Sequence, residues 1–420
     1  MVTGFSSARA QHQAHKMTML QLGRDWMAIG IAQAFPSATM ELPSESGWPL
    51  ERRGLYLTQP ALMMNLESQG SLVALRATLN AEGITQPGGE LTFGAWGEGF
   101  LDKRHPHTIL HEIMLSLNFW RGESAGISIS AGKGFAPYGT DDPMMRPVIK
   151  YPTNHHLSQL LERWLVSGTW SDGHWSVEAG VFGGTEPSGP FDFGNVESFA
   201  NSWSTRLTYR VGTPTLAAWP WEFSLSVARV REHEDQAGVN ELYNAALRYE
   251  REHGDTRAYA LLEASWGNET DGNGVFSVLA EGSLTRGRHK PYARLEYATR
   301  PEYTRVGPPN SRAFFRYDHD LDSIGATRWL ILSAGYGWSA TLQPLSVRPY
   351  IETQFNNVQA DWGGIDPVDL YGRRNFLVLS AGLRVFLGGE PMRMGAYGIL
   401  DPMTAMHRVQ MQAMQTEHKH

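Results

Sequence analysis

In residues 376–387 (Phe-Leu-Val-Leu-Ser-Ala-Gly-Leu-Arg-Val-Phe-Leu) every odd position is apolar, while Ser380, Gly382 and Arg384 stand at even ones. Side chains alternate faces along an extended chain with period two, so one face suits hydrocarbon and the other suits water. The pattern recurs at 345–356, where Ser346, Arg348, Glu352, Gln354 and Asn356 oppose Val347, Ile351 and Phe355. It recurs again at 240–251, with Asn244, Arg248 and Glu250 against Tyr243, Leu247 and Tyr249. No stretch of about 18 uninterrupted apolar residues occurs, which excludes a membrane-spanning helix and leaves strands as the way across. Because a barrel strand needs only one apolar face, a mean hydropathy of -0.34 is compatible with a membrane protein.

These segments predict an all-β fold, a transmembrane antiparallel β-barrel of about sixteen strands (fourteen to eighteen) spanning residues 61–387. The segments begin near 61–67 and 71–82, include one near 90–97 and one near 157–170, and end at 374–387. Trp26 to Phe35 offers a further strand, and 157–165 also fits a helical stripe. The gaps alternate in length. Those at 134–156, 184–198, 300–325 and 357–373 are long; Ser171-Asp172-Gly173, Glu252-His253-Gly254 and Arg286-Gly287-Arg288 are tight turns. Short periplasmic turns facing long external loops are the asymmetry of outer-membrane barrels. Trp164, Trp170, Trp175, Trp219, Trp221, Trp266, Trp329 and Trp338 fall near segment ends, as expected of aromatic belts at the two headgroup levels.

The ends read differently. Ala8-Arg9-Ala10 before Gln11 resembles the small-residue end of a secretory signal, so 1–10 is read as a signal-peptide remnant. Residues 11–60 are expected to form an N-terminal periplasmic segment, and 388–420 a flexible tail rich in methionine and histidine. The absence of cysteine excludes disulfides, thiolate metal sites and a cysteine nucleophile. A net charge of -7 gives no basic footprint for nucleic acid.

Several groups carry possible chemistry. Asp102 to Glu112 holds His105, His107, His111 and Glu112; imidazole and carboxylate suit borderline divalent ions, and His105 and His107 share one side of a strand. Asp141-Asp142-Pro143 leads to His155-His156 within a loop long enough to fold into the lumen. The predicted metal set is therefore His105, His107, Glu112, His155 and His156, for a divalent ion or copper, with ordinary hydrogen-bonding histidines as the competing reading. His12, His15, Met17 and Met19 at one end, and Met403, Met406, His407, Met411, Met414, His418 and His420 at the other, are a second copper-type donor set. His156-Leu157-Ser158 is the bare pattern of a histidine-activated serine, as in lipid hydrolases that carry the pair on a barrel strand. Finally, Arg206, Arg210, Arg248, Glu250, Arg257, Glu263, Glu281, Arg294, Glu296, Arg348, Glu352 and Arg384 are assigned to the lumen face. Their mixed signs argue against strong ion selectivity.

Asp102 to Glu112 with its His105-Pro106-His107 core, His155-His156, Glu186-Pro187 and Ser202 to Leu207 resemble a family of largely uncharacterised outer-membrane proteins often encoded near copper and other heavy-metal resistance systems. The resemblance covers roughly 90–210 well. It implies a barrel and a link to metal, and no catalytic reaction. The family tends to place aspartate where Thr108 stands, and the segment after His156 differs. The expected function is a porin-like outer-membrane channel for small solutes or ions, in contact with lipid and open to homo-oligomerisation; the alternatives are a hydrolase using Ser158 and His156, or a structural barrel with a filled lumen.

Overall fold

The computed structural model describes residues 19–23, 25–42, 53–86, 90, 91, 101, 102, 107–122, 125–140, 142–153, 155–187, 189–194, 196, 198–212, 220–231, 239–268, 274–303, 323–342, 344–390 and 393–408. Sixteen strands form one closed antiparallel barrel. They are β1 (Trp26–Leu42), β2 (Arg53–Ser68), β3 (Val73–Asn80), β4 (Leu110–Trp120), β5 (Gly126–Gly134), β6 (Arg163–Ser171), β7 (Trp175–Phe182) and β8 (Ser202–Val211). The second half comprises β9 (Trp221–Val230), β10 (Asn240–His253), β11 (Thr256–Asn268), β12 (Gly274–Arg286), β13 (His289–Tyr303), β14 (Ser323–Trp338), β15 (Leu345–Ala360) and β16 (Asn375–Leu387). Each pairs with its neighbours in sequence, and β1 closes the ring on β16 with Thr39 opposite Ser380 and Ala32 opposite Leu387. Closure leaves no row of unpaired backbone groups, the condition for placing a sheet in hydrocarbon.

Burial is inverted relative to a water-soluble protein. Along β7, Trp175, Val177 and Val181 are exposed while Ser176 and Glu178 are buried. Leu225, Leu262, Leu332 and Ile351 are likewise outward and exposed. An outer surface of this kind is solvated by lipid, which places the chain in the bacterial outer membrane. Aromatic pairs cross neighbouring strands at the rims: Trp175 packs against Tyr209 at 4.4 Å and Trp221 against Tyr249 at 4.6 Å beside the short turns, and Tyr243 meets Trp266 at 5.5 Å at the opposite end. Trp329 departs from the expected belt. It is fully buried inside, against Tyr371 and Phe376, and Trp219 lies outside the described residues.

The expected start of the barrel at 61 and the expected periplasmic segment 11–60 are corrected by β1 and β2, which begin at Trp26 and Arg53. Residues 11–18 and 43–52 lie outside the described set. The segment expected near 90–97 is no barrel strand in its described part: Glu90–Leu91 pairs only with Leu101–Asp102 in a separate two-stranded sheet. The segment expected at 157–170 becomes a strand only at Arg163. β1 misleads because its inward face carries Ile29, Ile31 and Phe35, all buried, while Ala28, Gly30, Ala32 and Ala34 face out. It also contains Pro36 and a register shift near Phe35, which together mask a strand signal.

The tail is corrected as well. After β16 the chain turns at Gly388 (φ +82°), where an added Cβ would stand 2.4 Å from the Gly30 carbonyl oxygen. Residues 393–408 then enter the lumen, ending in the helical stretch 402–408. Met394, Tyr397, Met403 and Met406 are buried with Ile29, Ile31, Met63 and Met114 of the wall and with Phe135, Met144, Tyr151 and Leu157 of the long loop between β5 and β6. These tail methionines fill an apolar core rather than presenting a copper-type donor set. Met411, Met414, His418, His420 and the N-terminal His12, His15 and Met17 lie outside the described residues, and Met19 opens the short strand Met19–Leu22.

Candidate functional site

The loop 135–162 lies inside the barrel and touches most of its circumference. From the wall, Glu263 accepts from Arg146 at 2.9 Å and from Thr140 at 2.8 Å. Glu352 accepts from the Ile149 amide at 3.0 Å, and Glu296 from the Thr153 amide at 2.8 Å. Arg294 donates to the Lys150 carbonyl at 2.8 Å, Arg384 to the carbonyls of Arg146 (3.1 Å) and Pro147, and Lys150 itself to Gln354 and Ser380. Burial, with Glu352 opposing it, brings the Lys150 ammonium down to about 8.

The lumen-face residues named from sequence all point inward, mostly as paired ions. Arg206 grips Glu178 with two nitrogens at 2.7 and 2.8 Å. Arg210 reaches Glu222 at 3.1 Å, Arg294 reaches Glu281 at 2.7 Å, and Arg248 and Arg257 converge on Glu250. Arg348 bonds Glu390, just past the last strand. Such pairs hold strands in register and leave little free charge to bias an ion stream.

At the top of β4 the sequence builds a second arrangement. Thr78 pairs with Glu112 and Leu79 with Leu110, so His111 is an extra residue in the ladder. A bulge of this kind re-aims side chains, and both His111 and Glu112 end up buried on the inside. His107 lies four residues before His111, and the two rings meet edge to face with centroids 5.5 Å apart. Opposite them is Glu162, the last loop residue before β6, held at φ +56°, a conformation that L-residues with side chains rarely adopt.

The Glu162 carboxylate meets His111 Nδ1 at 2.7 Å and His107 Nδ1 at 3.2 Å, and accepts the Thr108 amide at 3.1 Å. On its far side His111 Nε2 meets Asp142 at 3.1 Å, while His107 Nε2 stands 3.8 Å from Glu82. The order is Glu82, His107, Glu162, His111, Asp142: carboxylates and imidazoles alternating through the buried interior. Burial alone would raise the Glu162 carboxyl, but the hydrogen bonds and charge of His107 and His111 outweigh it and hold it below the usual carboxylate range. Tyr151 donates to Glu82 at 3.0 Å, and Lys133 donates to Thr108 Oγ1 at 2.7 Å.

The predicted metal set is thus divided. His107 belongs to this cluster and His105 lies outside the described residues. Glu112 is turned elsewhere, accepting from Arg76 at 2.8 Å, Thr78 at 2.6 Å and Tyr397 at 2.9 Å. His155 and His156 sit in a single 3₁₀ turn with their rings 4.2 Å apart, and His155 Nδ1 is 2.8 Å from the Pro152 carbonyl. Glu162, Asp142 and Glu82 join His107 and His111 from up to 55 residues away in sequence. Asp142 stands in the acidic run Asp141-Asp142-Pro143; Glu162 and Glu82 carry no local signal. Ser158 lies in the buried lumen loop, not on a strand, and its hydroxyl donates to the His155 carbonyl at 3.1 Å, so the placement expected of a barrel-strand hydrolase is not met.

The tail anchors to the same wall. Arg76 binds Asp401 at 2.9 Å and Glu112 at 2.8 Å, and Glu67 takes Thr404 at 2.8 Å and His407 at 2.7 Å. Arg206 spans both fillings, donating to the Gly139 carbonyl of the loop (3.1 Å) and the Gly395 carbonyl of the tail (2.8 Å).

No protein-family model matches the chain, and no curated protein is similar to it. Among solved structures it is similar to OmpT, an outer membrane protein of Vibrio cholerae (10% identity, 88% of this chain and 99% of that one, TM-score 0.48). It is also similar to an anion-selective porin from Comamonas acidovorans (14%, 86% and 99%, 0.45) and to OprB of Pseudomonas putida (9%, 86% and 94%, 0.45). The chain's own strand ladder and outward apolar surface define it as an outer-membrane β-barrel.

Proposed function

We propose that the protein is a channel for small polar solutes or ions in which the 135–162 loop narrows the passage and the 393–408 segment closes its periplasmic side. The observation that carries this reading is the way the lumen is filled. Its wall is polar and charged along most strands, as a watery passage requires, and the filling on the side of the chain termini is one tethered segment held by ion pairs and hydrogen bonds. Those polar contacts can be exchanged for water, and the apolar packing of Met394, Met403 and Met406 is what undocking gives up. Buried guanidinium atoms with no protein acceptor, Arg146 Nε and Arg294 Nη2 among them, call for water or a polar solute beside them.

The test is planar-bilayer conductance of the refolded full chain and of a chain ending at Glu390. Rare or small openings in the full chain and steady, several-fold larger conductance in the shortened one are expected. If correctly folded, heat-modifiable barrels of both forms stay silent, the channel reading falls and a structural barrel with a filled lumen takes its place.

A further inference from the structure

We infer that His107, His111 and Glu162 form a binding site for one divalent transition ion of the zinc class, built into the junction of β4, the 135–162 loop and the lumen wall. Each of the three offers a ligand atom, and these atoms lie within 4.8 Å of one another, all buried. Four-coordinate zinc bonds to imidazole nitrogen or carboxylate oxygen at roughly 2.0–2.1 Å, which spaces neighbouring ligand atoms about 3.3 Å apart. His107 Nδ1 and Glu162 are already 3.2 Å apart, and His111 Nδ1 at 2.7 Å needs to open by only about half an ångström to meet that spacing.

The surroundings point the same way. Both imidazoles turn Nδ1 toward Glu162, and each turns its opposite nitrogen toward a further carboxylate, Asp142 for His111 and Glu82 for His107. Metal-bound histidine almost always hands its second N–H to an acceptor of this kind, which fixes the tautomer and makes the ligating nitrogen more basic. Glu82 is itself held by the Gln59 amide at 3.1 Å, Gln86 at 2.8 Å and Tyr151 at 3.0 Å. The three carboxylates surround two imidazoles, and the nearby Lys133 spends a hydrogen bond on Thr108. Two positive charges placed among them offset what the imidazoles alone leave unbalanced. Imidazole with carboxylate suits zinc, copper or nickel, and nothing soft enough to select the cuprous ion is ligating here.

The competing arrangement is an ion-free chain in which a protonated His111 bridges Glu162 and Asp142. The two are separated by stripping the refolded full chain with chelator and titrating it with Zn²⁺ alone. One equivalent is expected to bind, with X-ray absorption of the zinc form showing two nitrogen scatterers at about 2.0–2.1 Å. The double variant His107→Gln/His111→Gln should lose that equivalent, His155→Gln/His156→Gln should keep it, and Asp142→Asn should weaken it by roughly 10–100-fold. If the double histidine variant does not fold, Glu162→Gln replaces it, and the scatterer count on the unmodified protein stands alone as the decisive readout. No bound zinc, zinc without two nitrogen scatterers, or zinc that survives loss of both histidines overturns the assignment.

Discussion

The lumen holds two fillings of unlike construction. The 135–162 loop is continuous with β5 at one end and β6 at the other, and the wall grips much of it by its backbone: the amides of Ile149 and Thr153 and the carbonyls of Gly139, Arg146, Pro147 and Lys150. The 393–408 segment leaves the barrel only at Gly388 and is gripped chiefly by its side chains: Tyr397, Asp401, Thr404 and His407. Backbone contacts fix a path whatever the side chains do. Side-chain contacts on a strand end can be lost together without unfolding anything else. The first filling is therefore part of the barrel's stability, and the second is a docked element with its own equilibrium.

The largest effect should come from the loop. Arg146 is buried between Glu263 (2.9 Å) and Glu281 (3.9 Å), and Arg146→Met keeps most of its volume while leaving Glu263 without its cation; Glu281 keeps Arg294. Removing one partner of a buried pair costs about 3 kcal/mol or more. Urea unfolding of the barrel in lipid vesicles should show a clearly lower midpoint, and an unchanged midpoint would mean the loop is no more structural than the tail.

The matching change in the tail is Arg76→Met, which deprives Asp401 and Glu112 together. Here about 2 kcal/mol is expected to fall on docking, equivalent to roughly 30-fold more of the undocked form. Trypsin should cut the 393–408 segment about that much faster, with the barrel's urea midpoint moving far less than in Arg146→Met. Equal shifts in both measurements would erase the distinction between the two fillings.

The same division governs what the sequence disclosed. Where the wall meets its neighbours or the filling through polar and charged groups, as in β7, β10, β15 and β16, polarity alternates and the strands can be read directly. Where the wall meets an apolar core they cannot. The inner positions Ile29 and Ile31 of β1 meet the apolar core to which the tail methionines also belong, so both faces of the first half of that strand are apolar and the period-two signal is lost there, while Gln33, Ser37, Thr39 and Glu41 form a polar inner row further on. The predicted strand total of about sixteen agrees with the structure because the segment near 90–97 entered it in place of β1. His107 could be picked out because its neighbours are histidines. Glu162 could not, since its role comes from a loop that crosses the lumen and a bulge at His111 that no short sequence window records.

The smallest effect sharpens the comparison through pH. Burial pushes the Asp401 carboxyl up to about 6 despite Arg76 beside it, with Glu67 and Glu112 adding to the rise. Free of the lumen its pKa is near 3.8. At Asp401 the docked state therefore holds the proton more tightly than the undocked one, so this group's contribution to docking is full below 3.8, falls as pH climbs to 6 and levels off above that. The chain has no cysteine, so Arg408→Cys gives a unique site for a spin label at the end of the docked segment. Its spectrum should be more immobilised at about pH 4.5 than at about pH 7.5, and Asp401→Asn, which stays neutral throughout, should flatten that difference without releasing the segment. A pH response that persists in Asp401→Asn would move the origin of the switch to another group, while a label equally immobile at both pH values would make the tail as fixed as the loop.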